Sequence, residues 1–184
     1  LFCIISCEPK NIKTGPSVLK LPDSSVYSGD LRDGLFHGKG KLVWSNGANY
    51  EGDFKDGLMH GRGILILASG SNYKGEFLNG IFNGKGILVY GNGSKYEGDF
   101  KDGMFCGVGI YSSIDGSRYE GEFKDDLPNG TGIVIDAAGN KYKGMLKNNV
   151  LNGEGIIQWK NGSEYKGQVK NSIPDGKGTL TYKN

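Results

Sequence analysis

One motif of 23 residues recurs through most of the chain and constrains the fold more than any other feature. Tyrosine opens each copy, and the copies follow one another without insertion or deletion from Tyr27, Tyr50, Tyr73, Tyr96, Tyr119, Tyr142 and Tyr165. A fixed period of this size indicates a repeat architecture in which each unit packs against its neighbours. We therefore predict seven repeats over residues 27–184, preceded by a degenerate half-repeat over residues 1–26 that caps the array.

Each copy divides into two segments with the composition of β-strands. The first reads Tyr-x-Gly-x-Phe, as in Tyr50–Phe54, and the second reads Gly-x-Gly before an apolar run, as in Gly84–Tyr90. Aromatic and β-branched residues favour strands. Asn-Gly and Asp-Gly pairs separate the segments, and their glycines supply the positive φ of tight turns. Glycine at this density argues against helix, because each would cost ~1 kcal/mol in a helix interior.

Side-chain alternation along a strand gives the sheet two different faces. Tyr73, Gly75 and Phe77 share one face of the first segment, and we infer that Gly84 and Gly86 of the second segment lie on the same side. The rings then occupy the space above the glycines, where a Cβ would otherwise sit. This packing explains why each strand needs its glycines.

The opposite face is predicted to carry a ladder of opposite charges. We expect Arg62 to face Asp53 and Lys85 to face Glu76 across neighbouring strands. Exposed pairs of this kind contribute only ~0.2–1 kcal/mol each. The ladder is therefore expected to set the strand register rather than to supply most of the stability.

The predicted fold class is all-β, an elongated single-layer antiparallel sheet of stacked β-hairpins. Two strands per copy, about 4.8 Å apart, give about 9.6 Å of length per repeat and on the order of 65–70 Å for the array. Such a sheet is a rod or trough rather than a globule.

The pattern Tyr-x-Gly-x-Phe, a loop and then Asn/His-Gly-x-Gly resembles the MORN repeat (membrane occupation and recognition nexus) from Tyr27 to Tyr182. The resemblance implies a single-layer sheet of stacked hairpins with an aromatic groove along one side. It also implies a non-catalytic scaffold of the kind found in radial spokes of cilia and flagella, in junctional membrane proteins and in parasite cytoskeletal rings. In some lipid kinases and in one lysine methyltransferase, such arrays precede a catalytic domain.

The C-terminal copies depart from this pattern. Asp126, Asn149 and Ser172 stand where earlier copies have the loop glycine. Leu146 and Val169 replace the phenylalanine of the first segment. We therefore expect the aromatic surface to be interrupted beyond about residue 140.

The residues give little support for catalysis, metal binding or nucleic-acid binding. The net charge of +2 is too small to predict a nucleic-acid partner. His37 and His60 lie one repeat apart, roughly 9–10 Å, which is too far for both to bind one zinc ion at ~2.0–2.1 Å. No Ser/His/Asp or Cys/His constellation can be built from these two histidines. We predict no enzymatic activity, no cofactor and no metal.

The aromatic stripe is the strongest candidate for a binding surface. A purely structural role for its rings and a combined role as core and partner groove are equally well supported. A single-layer sheet cannot bury both of its faces, so rings that stay partly open suit an amphipathic helix or an extended peptide. The predicted partner-binding residues are Trp44, Tyr50, Phe54, Tyr73, Phe77, Tyr90, Tyr96, Phe100 and Tyr119.

Charge is distributed unevenly along the chain. Residues 141–184 carry eight lysines against three acidic residues, whereas the remainder of the chain is net negative. A basic end of this kind could bind anionic lipid or an acidic partner. The predicted lipid contacts are Lys141, Lys143, Lys166 and Lys170. The alternative is an ordinary solvated face.

Cysteine use favours a reducing compartment, because Cys3, Cys7 and Cys106 do not suggest a disulfide framework. No apolar run approaches the ~20 residues of a membrane-spanning helix. The segment Leu1–Cys7 is apolar but lacks the basic start and cleavage site of a signal peptide. The first residue is Leu rather than Met, which suggests a fragment or a processed product.

These observations favour a non-enzymatic scaffold that binds another protein along its aromatic groove. The resemblance suggests a cytoplasmic location in a ciliary or other cytoskeletal assembly. One alternative is a peripheral membrane module that uses the basic C-terminal repeats, and another is a regulatory segment of a larger enzyme. The end strands at Val18–Leu21 and Gly178–Tyr182 could also pair edge to edge between copies.

Overall fold

The computed structural model describes residues 14–183, which form one antiparallel sheet of 15 strands. Each strand pairs with the strands before and after it in the chain, and these described residues contain no helix. The predicted all-β, single-layer sheet of consecutive hairpins is therefore confirmed. The strands are β1 (Gly15–Lys20), β2 (Val26–Arg32), β3 (Leu35–Val43), β4 (Asn49–Lys55), β5 (Leu58–Ile66), β6 (Asn72–Leu78), β7 (Ile81–Val89), β8 (Lys95–Lys101), β9 (Met104–Ser112), β10 (Arg118–Lys124), β11 (Leu127–Ile135), β12 (Lys141–Lys147), β13 (Val150–Gln158), β14 (Glu164–Lys170) and β15 (Ile173–Thr181).

Two-residue turns close the hairpin inside each repeat. In the turn between β4 and β5, Asp56 has φ +51° and Gly57 has φ +87°, the left-handed pair that fits the twist of a hairpin. The backbone N–H of Gly57 donates to the carbonyl of Phe36 at 2.9 Å, and Gly80 donates in the same way to Met59 at 2.7 Å. The hairpin turns of the second to seventh repeats are thus each bonded to the preceding repeat.

The turns between repeats form a second row of contacts at the other end of the strands. Tyr90 and Ser94 close one such turn, in which the N–H of Tyr90 donates to the Ser94 carbonyl at 2.8 Å. The N–H of Gly91 donates to the Ser71 hydroxyl oxygen of the preceding turn at 3.0 Å. Successive repeats are therefore linked at both edges of the rod.

A β-bulge in the second strand of a repeat shifts the pairing register. Gly52 lies opposite Gly63, but the next residue, Asp53, lies opposite His60. The two extra residues include Gly61 with φ +58°, and the Asp53 carboxylate accepts the backbone N–H of Arg62 at 3.0 Å. A side-chain carboxylate thus satisfies a donor that the bulge removes from the ladder.

The core lies on one side of the sheet, which we call the aromatic face, and the other side is the charged face. Tyr96 lies over Gly98 and Gly109 on the aromatic face. A Cβ added at Gly109 would lie 2.6 Å from the Tyr96 hydroxyl oxygen, closer than real Cβ atoms approach. The predicted packing of rings on glycines is confirmed for Gly75 and Gly86, which lie beneath Tyr73. It is wrong for Gly84, which lies in the bulge with φ +66°, because a Cβ added there would meet the Glu76 carboxylate rather than a ring.

The two ends of the array bear on several predictions. The first described strand covers Gly15–Lys20 rather than the predicted Val18–Leu21, and it pairs with β2. Its outer edge and that of β15 have no partner strand among residues 14–183. Edge-to-edge association and the capping role of residues 1–26 stay predictions. Those made for Cys3, Cys7 and the segment Leu1–Cys7 lie outside the described residues.

No helix that could span a bilayer occurs in the part of the chain that the structure describes.

Candidate binding surfaces

The tyrosines that open the first five repeats are enclosed on all sides, as Tyr96 illustrates. Its hydroxyl donates to the Asp99 carbonyl at 3.0 Å. Its ring stacks on Phe105 with centroids 3.7 Å apart, and Phe100 and Phe123 meet it edge-on at 5.1 and 5.0 Å. Burial raises the pKa of the Tyr96 phenol, so the ring stays neutral. Glycines, one stacked ring and two edge-on rings leave no free ring surface.

Seven of the nine predicted partner-binding residues lie in this core. Their exposure is between 0% and 4% for Tyr50, Tyr73, Tyr96, Tyr119, Phe54, Phe77 and Phe100. The structure shows a packing role for these seven rings, and contact of a partner with them stays a prediction. The other two residues, Trp44 and Tyr90, pack against the core while remaining partly exposed on the same face.

The outermost layer of the aromatic face comes from a position that the sequence analysis missed. Phe36 stacks on Tyr27 and Phe82 stacks on Tyr73, each with centroids 3.8 Å apart. Both upper rings are only half-buried. Phe36, Met59, Phe82 and Phe105 recur every 23 residues, each two residues after its turn. The repeat period was therefore the signal that could have revealed them.

Ion pairs cross the charged face, but not between the predicted partners. Lys85 binds Asp99 at 2.9 Å rather than Glu76, and Arg62 approaches Glu76 at 4.0 Å rather than Asp53. Asp53 instead binds the lysine of the preceding strand, Lys39, at 2.7 Å. The β-bulge is the physical reason for this difference. Because of the bulge, Arg62 does not lie opposite Asp53 of its own hairpin, but it does lie opposite Glu76 of the following strand.

A groove of about 970 Å³ runs across the charged face from β2 to β8. Its floor is the backbone of the paired glycines, such as Gly63 and Gly75. Its sides carry both charged and apolar groups, including Ile64, Lys74 and Ile87. The predicted groove lies on the aromatic face, but buried rings fill the corresponding space there.

All four predicted lipid-contacting lysines lie on the charged face. Lys141 and Lys143 belong to β12, Lys166 and Lys170 belong to β14, and all four are exposed. Every ion pair among residues 14–183 involves residues before 121, so these lysines have no acidic partner in the described chain. The charged face is therefore paired in its N-terminal half and basic and unpaired in its C-terminal half.

The repeat geometry agrees with a comparison against protein-family models. The model described as the MORN repeat matches seven consecutive segments, at residues 27–48, 50–72, 73–95, 96–118, 119–141, 142–164 and 165–184. The chain belongs to the MORN-repeat family. A comparison with curated proteins gives no match.

Solved structures with some likeness to this MORN-repeat chain include domains of CPAP. The TCP domain of SAS-4 (dCPAP) from Drosophila melanogaster, in complex with a proline-rich motif of Ana2 (dSTIL), has a TM-score of 0.47 at 10% identity, covering 91% of this chain and 90% of that domain. The TCP10 domain of Danio rerio CPAP, in complex with a peptide of Danio rerio STIL, has a TM-score of 0.40 at 13% identity, covering 91% and 89%. TM-scores this low carry no conclusion about fold or function.

The sixth MORN repeat departs from the others in structure. The hydroxyl of Tyr142 donates to the Asp136 carboxylate at 3.0 Å, away from the glycines of its own hairpin. Leu151 takes the place of the ring, with its Cδ1 2.7 Å from where a Cβ of Gly144 would lie. The series of aromatic contacts accordingly ends at Phe123. The contacts between rings thus end before residue 140, and their consequence for partner binding stays a prediction.

The two histidines and Cys106 lie at equivalent positions in the second strands of their MORN repeats. Within residues 14–183, no group of three or more metal-ligating side chains comes together. His37 and His60 each bury an Nδ1 atom that has no hydrogen-bond partner, and His37 lies 3.7 Å from the Asp56 carboxylate. Burial raises the pKa of the Cys106 thiol, which disfavours the nucleophilic thiolate.

Proposed function

We propose that this MORN-repeat chain is a non-enzymatic scaffold that binds a helix or an extended peptide of another protein along its aromatic face. The observation that supports the proposal is a row of partly exposed rings, Phe36, Phe82, Trp44, Tyr90 and Tyr111, that no other described segment covers. Contiguous apolar surface of this kind is typical of interaction sites.

The buried tyrosines support this surface from below. Because Tyr73 is fixed by its glycines and by a 2.9 Å hydrogen bond to the Glu76 carbonyl, the ring of Phe82 above it has a defined position. A row of fixed rings loses little side-chain entropy when a partner binds. Substitutions in the core would therefore weaken binding indirectly, through loss of the sheet.

We place the scaffold in the cytoplasm, within a ciliary or other cytoskeletal assembly, on the resemblance to MORN proteins of that kind. Proximity labelling with the tagged chain in ciliated cells tests the location. Labelled proteins should be enriched in axonemal and cytoskeletal components. Enrichment of secretory-pathway proteins instead would contradict the location.

The binding surface is tested by photo-crosslinking from a reactive residue placed at Tyr90, with Ile114 as the control position. Ile114 is 73% exposed and lies in a turn between repeats. We expect a defined adduct from Tyr90 and none from Ile114. The double variant Trp44→Ala/Tyr90→Ala, if folded by circular dichroism, should reduce affinity for the adduct's purified partner by at least about tenfold. Unchanged affinity in the folded variant would remove the aromatic face from the proposal.

A second candidate function is binding to anionic membrane surfaces through the C-terminal half of the charged face. It is supported by the four lysines on β12 and β14, which are exposed and have no acidic partner among the described residues. Each lysine near an anionic surface contributes about 1 kcal/mol, and this contribution falls as salt increases.

Liposome sedimentation tests this second function with a matched control. Replacing Lys141, Lys143, Lys166 and Lys170 by Gln should abolish binding to phosphatidylserine vesicles at low salt. Replacing four N-terminal basic residues that are already in ion pairs removes the same charge and should leave most of the binding. That control set is Lys39, Lys41, Lys85 and Lys95. Equal losses of vesicle binding in both sets would mean that binding depends on net charge alone, and would contradict a site on β12 and β14.

A further inference from the structure

The charged face carries a row of isoleucines that neither the repeat motif nor the proposed scaffold function uses. The second to sixth repeats each carry one isoleucine at the same height on the second strand, at Ile64, Ile87, Ile110, Ile133 and Ile156. Ile64 remains 40% exposed, and Ile87 is half-buried. Charged residues of the intervening strands separate them, so that Lys74 lies between Ile64 and Ile87.

The groove on the charged face places two members of this row along its length. Its lining comes mainly from β3 to β8, five inter-strand steps or about 24 Å. The glycine floor runs across the strands, so a ligand that follows it lies along the rod and perpendicular to every strand. Ile64 and Ile87 meet such a ligand two strands apart, about 9.6 Å.

This spacing selects one peptide conformation. A polyproline II helix has three residues per turn and a rise of 3.1 Å, so the same side of the peptide returns about every 9.3 Å. An α-helix returns a side chain to the same face after seven residues, about 10.5 Å. An extended strand alternates sides and returns about every 6.7 Å. The polyproline II repeat therefore matches the protein repeat most closely.

The charges of the groove add a second requirement. Glu51 is paired with Lys41 at 3.2 Å, and Glu97 is paired with Lys95 at 2.7 Å. Lys74, between them, has no ion pair among the described residues. Lys74 lies directly opposite both isoleucines on the strand between them, where a ligand would place the residues between two successive anchors. A carboxylate at that point complements Lys74 without displacing an existing pair.

We propose that the groove of the charged face binds a proline-rich segment of a partner protein in the polyproline II conformation, with prolines one turn apart over Ile64 and Ile87 and an acidic residue between them facing Lys74. Such a segment is stiff before binding, so it loses little conformational entropy in a shallow groove. The site lies on the opposite side of the sheet from the aromatic face, so the scaffold would hold two partners at once.

The test uses the full chain and a synthetic peptide of about nine residues, Ala-Ala-Pro-Ala-Ala-Pro-Glu-Ala-Pro, long enough to cover about 28 Å. In an NMR titration we expect saturable shifts at the amides of Ile64, Lys74, Gly75 and Ile87. Replacing each proline by alanine should weaken binding by at least about tenfold, because the free peptide is then no longer held in the bound conformation. Replacing the glutamate by lysine should weaken it by about fivefold.

Variants of the protein provide the matched comparison. Ile64→Thr/Ile87→Thr keeps β-branched residues in both strands and should weaken peptide binding by about tenfold. Leu58→Thr/Ile81→Thr changes the same two strands at residues that are each 49% exposed beside the hairpin turns, outside the groove. These controls should stay within about twofold of the parent affinity.

Four outcomes would overturn the proposal: no saturable shifts at millimolar peptide, equal binding of the proline-free peptide, equal effects of the two variant pairs, or shifts confined to the aromatic face. Concentration-dependent dimerisation through Ile64 and Ile87 would assign the groove to a second copy instead. Binding that survives Trp44→Ala/Tyr90→Ala separates this site from the proposed aromatic surface. The experiments can therefore contradict the peptide site in the groove without contradicting the binding surface on the aromatic face, and the reverse is also true.

Discussion

The fourth and sixth repeats fill the same space in different ways. In the fourth, the ring of Tyr96 covers Gly98 and Gly109, and its hydroxyl donates to a carbonyl of its own strand. In the sixth, the hydroxyl of Tyr142 reaches the carboxylate of Asp136, and aliphatic groups cover the glycines. The glycine pair therefore requires a side chain above it, but that side chain need not be a ring.

The neighbours of each tyrosine explain the difference. Tyr96 is stacked beneath Phe105 and bounded by Phe123 of the next repeat. The residues that correspond to these two in the sixth repeat are Leu151 and Val169, and Leu151 is buried to 2% exposure. A branched aliphatic chain can reach down to the glycine, whereas a phenylalanine stacks flat above a tyrosine. The seventh repeat returns to the first arrangement, with the Tyr165 hydroxyl 2.8 Å from the Gln168 carbonyl.

The largest expected effect is the loss of a covering ring. Tyr96→Ala removes a side chain with 0% exposure together with its hydrogen bond, and should lower the free energy of unfolding by ~3–5 kcal/mol. Tyr142→Ala removes a half-buried ring that does not cover a glycine, and should lower the free energy of unfolding by about 1–2 kcal/mol. Urea denaturation followed by circular dichroism measures both values. Equal losses would mean that the two repeats do not differ in the way described.

Adding a methyl group tests the same comparison from below. A Cβ at Gly109 would meet the Tyr96 ring at 2.6–2.8 Å, whereas at Gly155 the nearest atoms lie 3.2–3.4 Å away. Gly109→Ala should therefore destabilise by ~3 kcal/mol, because the ring must leave its position. Gly155→Ala should cost about 1 kcal/mol, because the Lys143 carbonyl oxygen at 3.2 Å and the side chains of Val169 and Leu151 each need to give by only a few tenths of an ångström.

Neither glycine is in the left-handed region, so backbone strain does not enter the difference. The double variant Gly109→Ala/Tyr96→Ala is the control for the steric cause. With the ring absent, the added methyl group should cost less than it does alone. Strict additivity of the two losses would contradict the packing of ring on glycine.

The sequence predicted the sheet and the packing of rings on glycines, because both follow from the strict 23-residue period. It misassigned the charge ladder, since the bulge at Gly61 inserts residues that leave no mark on the 23-residue spacing. It did not predict that the Tyr142 ring lies away from the glycines of its hairpin, because that repeat keeps the Tyr-x-Gly motif. The cause lies in two other residues, Leu151 and Asp136. The depth of ring burial was also missed, since it depends on a second layer of residues such as Phe82.

Alkaline pH should lower the stability of the aromatic repeats more than that of the sixth repeat. Burial raises the pKa of Tyr73 to about 12, from a usual value of 10.0. Between these values the unfolded chain loses a proton that the folded chain keeps, so the stability from the neutral phenol is present below pH 10 and is lost as the pH rises towards 12. The expected result is a steep fall in unfolding free energy over this window.

Tyr73→Phe provides the matched measurement. At neutral pH it should cost about 1 kcal/mol for the lost hydrogen bond to Glu76. The gap from the parent protein should narrow or reverse above pH 11, because phenylalanine cannot ionise. Tyr142→Phe should show a smaller narrowing, because Tyr142 is less enclosed than Tyr73. A gap that stays constant with pH for Tyr73→Phe would contradict this account.

The smallest expected effects are in the hairpin turns that lack glycine, and they should differ in sign. Asn149 and Asp126 both have φ +66°, a conformation that glycine adopts without steric cost. Asn149 makes no side-chain hydrogen bond within the described chain, so Asn149→Gly should stabilise by about 0.5 kcal/mol once the added freedom of the unfolded chain is subtracted. In Asp126, the carboxylate accepts the backbone N–H of Phe105 at 2.7 Å. Asp126→Gly leaves that donor without a partner and should destabilise by about 1 kcal/mol. Chemical denaturation measures the free energy of unfolding of both variants. Asp126→Asn is the control, because it keeps an acceptor oxygen at the same place. Stabilisation by Asp126→Gly would contradict a stabilising role for the Asp126 hydrogen bond.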